Sequence, residues 1–97
     1  MKINLNQPFT DYKGEPIKEN GSIKNVADTI CQYLYVAGEG FTAEEKYDAF
    51  KLCMRIQADS ENVELSTSEG NLIKRTCDKM LVAGAYGQIA NLIDTTV

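Results

Sequence analysis

Two four-residue stretches decide most of what this chain can fold into. Thr42-Ala43-Glu44-Glu45 and Ser66-Thr67-Ser68-Glu69 both carry the capping-box pattern. In that pattern the Ser or Thr side chain accepts the N–H three residues on, and the Glu there reaches back to the cap's own N–H. Each box is followed by apolar residues at helical spacing. After the first, Ala49, Phe50, Cys53 and Ile56 stand at i, i+1, i+4 and i+7, with Tyr47 and Met54 on the flanks. After the second, Ile73, Cys77, Met80 and Leu81 stand at i, i+4, i+7 and i+8. The spacing predicts one helix from 43 to about Ala58, with Arg55 and Asp59 pairing one turn apart, and another from 67 that breaks or bends at Gly84.

Two more helices follow from the same rule. Ser22 is a good N-cap, and Ile23, Ala27, Ile30, Leu34 and Ala37 share one face behind it, with Gly38 offering the positive φ that ends helices. Tyr86, Ile89, Ala90 and Ile93 mark a final short helix, and Asp94-Thr95-Thr96-Val97 reads as a frayed end. The first twenty residues are extended instead: Ile3 and Leu5 alternate with Lys2, Asn4 and Asn6, and Pro8 ends the run. Asp11 to Gly14 is a turn, a short second strand around Glu15 to Ile17 closes an N-terminal hairpin, and Glu19-Asn20-Gly21 turns again. Val63-Glu64-Leu65 alternates in-out-in and reads as a third strand.

The expected fold is therefore α+β, a single domain over residues 1–97. A small, mainly antiparallel three-stranded sheet, the N-terminal hairpin plus the strand near 63–65, is covered on one face by three to four helices. The expected core holds Ile3, Leu5, Ile30, Leu34, Phe50, Cys53, Ile56, Leu65, Ile73, Cys77 and Ile89.

Most catalytic chemistries are excluded by what is missing. The chain has 97 residues and no histidine, so neither a Ser-His-Asp triad, a Cys-His pair nor a His-based metal site can be built. Cys31, Cys53 and Cys77 are odd in number, match no disulfide framework or C-x-x-C pair, and fall in apolar stripes, where thiols act as small hydrophobes. Asp59 to Glu64 lacks the central Gly of a calcium loop, and Gly84-Ala85-Tyr86-Gly87 lacks phosphate-loop spacing. A small domain without Trp is a poor host for paired-carboxylate hydrolysis. We therefore expect neither enzyme activity, cofactor nor metal. Ten basic residues against fourteen acidic give a net charge of −4, which argues against direct nucleic-acid binding through phosphates. Apolar runs fall short of the roughly 20 residues of a membrane helix, and Met1 to Gln7 does not read as a secretory signal, so a cytoplasmic protein without a membrane is expected.

The acids are uneven. Glu39, Glu44, Glu45 and Asp48 crowd the approach to the second helix and its first turns, while Asp59, Glu61, Glu64 and Glu69 crowd the segment beyond it. Helix dipoles and capping boxes account for Glu44, Glu45 and Glu69 without a partner; Glu39, Asp48 and Glu61 are the least explained. The functional alternative is an acidic surface that steers toward a basic groove on another macromolecule. Its candidate residues are Glu39, Glu44, Glu45, Asp48, Asp59 and Glu61, with Tyr33 and Tyr35 as anchors, although tyrosines reaching from core to surface are commoner.

Ile3-Asn4-Leu5-Asn6-Gln7-Pro8-Phe9, Lys13-Gly14-Glu15-Pro16-Ile17, Glu44-Glu45-Lys46 with Phe50-Lys51-Leu52, Val63-Glu64-Leu65, and Leu72-Ile73-Lys74-Arg75 ahead of Gly87-Gln88 form a whole-chain pattern. It resembles small proteins carried by bacteriophages and prophages of Gram-negative bacteria, a group with no settled activity. The chain departs from that pattern at Gly84 to Gly87 and in its three cysteines. The resemblance implies a phage-encoded accessory protein in the cytoplasm of a bacterial host, binding a host or phage protein complex as a monomer or small homo-oligomer. It implies either an inhibitor of a host defence complex, of the anti-CRISPR kind, whose acidic surface mimics nucleic acid, or a morphogenetic protein such as a tail-assembly chaperone or minor virion component.

Overall fold

Asn25, rather than Ser22, opens the first helix. Its side-chain oxygen accepts the N–H groups of Ala27 (2.8 Å) and Asp28 (3.3 Å), and α1 runs Val26–Tyr35. The computed structural model describes residues 2–19 and 21–96. Within them Ser22–Ile23 is a strand, β3, whose backbone is already engaged by β2, Lys18–Glu19; Ile23 is consequently exposed instead of starting the helical stripe. The expected strand at Glu15 to Ile17 is displaced to β2. Ile17 bridges two backbones, donating to the Phe9 carbonyl (2.8 Å) and accepting from the Lys24 N–H (2.9 Å). The turn at Asp11 forms as its side chain dictates, the carboxylate accepting from the N–H groups of Lys13 and Glu15. Of the next expected turn, Asn20 lies outside the described residues, and Gly21 stands at φ +81°.

Of the expected N-terminal hairpin the structure shows an antiparallel bridge between Thr10 and Pro16 across the Asp11 turn, not a ladder with Lys2–Ile3, and among the described residues no three-stranded sheet is seen. β1, Lys2–Ile3, pairs antiparallel with β4, Val63–Glu64, in the register Lys2 to Glu64 and Ile3 to Val63, while β2 and β3 make a separate two-stranded ladder. Alternation along the first strand holds: Ile3 and Leu5 are buried, and Lys2, Asn4, Asn6 and Glu64 face out. Two further ties fix this segment. Leu5 N–H donates to the Ser60 carbonyl (2.8 Å), and the Gln88 side-chain amide clasps Thr10, accepting its N–H (2.9 Å) and donating to its carbonyl (2.8 Å). The architecture is α+β, four helices with small antiparallel strand pairs.

Both capping boxes are present. Thr42 opens α2, Ala43–Ala58, and Ser66 opens α3, Thr67–Asp78. The expected helix stop at Gly38 is corrected: α1 ends at Tyr35 with Val36 as its cap, and the left-handed residue is Gly40, at φ +87° in the turn before Thr42. α3 stops short of Met80, so that residue is exposed and the break falls at residues 79–82. Gly84 lies in the first turn of α4, Ala83–Thr96, which continues through the expected frayed end; Val97 lies outside the described residues.

The core gathers where the inner faces of the helices meet β1. Ten of the eleven expected core residues are buried, and Phe50 is not, at 45% exposed. The inner stripe of α2 is Ala49, Leu52, Cys53 and Ile56, at i, i+3, i+4 and i+7. Phe50 sits about 100° around the helix from Ala49, past the edge of that stripe, and Leu52 takes the core position. Phe9, unassigned from sequence, is 1% exposed. α4 reaches the core by close approach: a Cβ on buried Gly70 would lie 2.9 Å from the Ile93 side chain.

Candidate interaction surface

The capping glutamates of α2 and α3 are each held by an arginine of the other helix. One oxygen of Glu45 accepts the Thr42 N–H (2.9 Å), and the other pairs with Arg75 of α3. One oxygen of Glu69 accepts the Ser66 N–H (2.9 Å), and the other pairs with Arg55 of α2 at 2.6 Å. Arg55 also donates to the Glu64 carbonyl, and Arg75 lies 4.6 Å over the Phe41 ring. The Thr42 N–H, then Arg75, holds the Glu45 carboxyl below its ordinary range. For Glu69, burial acts upward, but the hydrogen bonds from Arg55 and Ser66 outweigh it and the pKa is lowered. The expected Arg55–Asp59 pair is thus replaced by Arg55–Glu69. Asp59 instead caps the end of α2, its carboxylate accepting the Glu61 N–H at 3.2 Å.

These contacts divide the candidate acids. Glu45 is tied down, and Asp59 is partly spent on its turn. Glu44 and Asp48 stand one helical turn apart on the outside of α2, with Asp48 3.6 Å from Lys51 in a weak, exposed pair. Glu39 is exposed in the loop leading to α2, and Glu61 is exposed beyond its other end, its carboxylate accepting from the Asn6 amide at 3.3 Å. The 16-residue α2, about 24 Å long, lies between Glu39 and Glu61, so these two do not share one patch on a single chain.

The tyrosines separate as well. Tyr33 is half-buried in a cleft of about 390 Å³ beside Phe41, Arg75, Lys79 and Met80. Tyr35 is 65% exposed, its ring 6.3 Å from that of Phe50. Phe50 belongs to a row that sequence reasoning placed in or beside the core: Tyr47 (61% exposed), Phe50 and Met54 (43%) at i, i+3 and i+7 along the outside of α2. The signal was available, because α2 carries two apolar series offset around the helix, and only one can face inward. Lys51 Nζ sits 4.5 Å over the Tyr47 ring at the edge of this row.

All three thiols are free and buried. Cys31 and Cys53 each donate to the other's carbonyl, and burial, reinforced by Cys53, pushes the Cys31 thiol up to about 12. Burial alone does the same to Cys77. Among the described residues no group of three or more His, Cys, Asp or Glu side chains is placed to hold a metal ion, and no helix is long and apolar enough to cross a membrane. Set beside known protein families, characterised proteins and solved structures, the chain matches none of them.

Proposed function

We propose that this chain is a non-catalytic, phage-encoded accessory protein acting in the cytoplasm of a bacterial host by stoichiometric protein–protein binding. In this reading it inhibits a host defence complex of the kind anti-CRISPR proteins target, meeting a basic groove that otherwise holds nucleic acid. The supporting observation is that Glu39 and Glu61 are exposed and unclaimed by any cap or ion pair among the described residues, with Glu44 and Asp48 between them on the outside of α2. Exposed acids of this kind steer association with a cationic surface.

The test is capture kinetics with partner complexes from infected cells. Association should slow as salt rises, because exposed charges are screened over about 8–10 Å at ordinary ionic strength. The variant E39Q/E61Q should associate more slowly at low salt and melt at the parent's temperature. Equal association rates for variant and parent at low salt would sink the acidic-surface reading.

A second reading, a morphogenetic protein such as a tail-assembly chaperone or minor virion component, draws on a different observation. The row of Tyr47, Phe50 and Met54 is the sort of exposed apolar patch through which assembly proteins self-associate or bind structural proteins. Capture of virion components insensitive to salt would favour it.

A further inference from the structure

We propose that the outer face of α2 is the seam of an antiparallel homodimer, with Tyr47, Phe50 and Met54 of one copy packing on the same residues of a second copy. Such a seam is independent of any host or phage partner and is built on α2, with Tyr35 of α1 at its margin.

The first support is that α2 has two apolar faces and uses one. Ala49, Leu52, Cys53 and Ile56 are buried, while Tyr47, Phe50 and Met54 lie outside that stripe, from its edge at Phe50 round to the far side at Tyr47, extended by Tyr35 of α1 against Phe50. A surface helix ordinarily carries a single apolar stripe with polar residues opposite. Three rings of about 150–250 Å² each, roughly half exposed, together with Met54 make a patch on the order of 300–400 Å².

The second support identifies the occupant. Along the edge of this row run Glu44, Asp48, Lys51 and Arg55, two acids followed by two bases. That order is complementary to itself when read backwards. Antiparallel pairing about Phe50 sets Tyr47 beside Met54 of the second copy. Within a residue of the same register, Asp48 meets Lys51 and Glu44 meets Arg55. Parallel pairing would leave the charged edges of the two copies on opposite sides of the seam, where they do not meet. Such edge charges fix orientation and partner choice between paired helices. Asp48 and Lys51 are each about half exposed, and their mutual contact at 3.6 Å is loose enough to be exchanged. Arg55 is already held by Glu69 and supplies the weaker outer pair.

The geometry also bears on the acids outside α2. In an antiparallel pair, the segment leading into one α2 lies toward the end of the other. Each end of the dimer then carries Glu39 of one copy and Asp59 and Glu61 of the second. The patch is smaller than the roughly 800 Å² per partner of a standard interface, so the dimer is expected to be concentration-dependent.

Sedimentation equilibrium of the purified full chain tests this without any other partner. Between about 20 μM and 1 mM, mass action should raise the average mass from 10.8 kDa toward twice that value. D48K alone and K51D alone should each weaken association at least about tenfold, since each sets like charges across the seam. An equimolar mixture of D48K and K51D should recover it. Y47S/M54S should abolish it, and circular dichroism of each variant should show the parent's helix content and melting temperature. Three results would overturn the proposal. One is a mass fixed at 10.8 kDa throughout, which gives the face to a different protein. The others are single charge variants that associate as the parent does, as a parallel pair would allow, and a mixture that fails to recover. Failure here is distinguishable from failure of the partner reading, which is decided by E39Q/E61Q.

Discussion

Arg75 of α3 pairs with Glu45, the residue that completes the capping box of α2. The relationship is reciprocated by Arg55 of α2 and Glu69 of α3. Each glutamate therefore serves its own helix start through one oxygen and the neighbouring helix through the other. Local capping and the packing of two helices are coupled in the same two carboxylates.

Removing the cap hydroxyls measures the local half of that coupling. Thr42→Ala and Ser66→Ala should each lower stability by about 0.5–2 kcal/mol. For a domain of this size that is a fall in Tm of roughly 4–8 °C per kcal/mol. Thermal melts followed by circular dichroism will read it. A Tm unchanged by both substitutions would show that the boxes carry no stability.

The same carboxylates set an acid limit. Both pKa values lie below the ordinary 4.5 in the folded protein, so the unfolded chain binds more protons in that range. Their contribution is complete above about pH 5 and is lost as pH falls below 4.5 through the lowered folded values. Urea midpoints measured downward from pH 6 should decline in the parent, and E45Q/E69Q should show a shallower decline. Identical slopes would assign acid sensitivity to other groups.

Two phenylalanines separate core from surface. Phe9→Ala removes a ring that is 1% exposed and should destabilise by about 3–5 kcal/mol. Phe50→Ala removes one that is 45% exposed and lies against Tyr35, so its effect should be well under half of that. Denaturant titration of the pair checks the ordering, and a larger loss at Phe50 would contradict the burial described.

Gly70→Ala tests the close approach of α3 and α4. In an unconstrained helix the change would stabilise by about 1 kcal/mol. Here the new methyl meets Ile93 at 2.9 Å, so a net loss of about 1–3 kcal/mol is expected. A gain in Tm would show that α4 can yield.

What the sequence disclosed and what it hid have physical reasons. Capping boxes are local chemistry, and both start their helices as read. The alternation of Ile3 and Leu5 was likewise legible, since a half-buried strand needs only its own period. Strand pairing was not, because two-residue strands carry no register information and β1 found its partner 60 residues away. Ser22 lost to Asn25 because the chain before α1 was engaged in a ladder that no cap rule describes. The acids of the candidate surface were visible as a cluster in sequence, but Arg75 and Arg55 reach Glu45 and Glu69 from distant positions and remove them from the free surface. The exposed row on α2 is hidden in the sequence because an aromatic at the edge of a stripe, as Phe50 is beside Ala49, has the same spacing as a member of it.

The clasp of Gln88 on Thr10 has a consequence during synthesis. A ribosome adds about 5–20 residues per second, so the segment from Ile3 to Phe9 leaves the exit tunnel roughly 4–16 s before its last tether has been made. For roughly the first 3–12 s Ile3, Leu5 and Phe9, all destined for the interior, have neither Val63 nor Gln88 to hold them, and Gln88 follows Val63 by 25 residues. Until those partners emerge, the first strand is an apolar segment without a ladder to join.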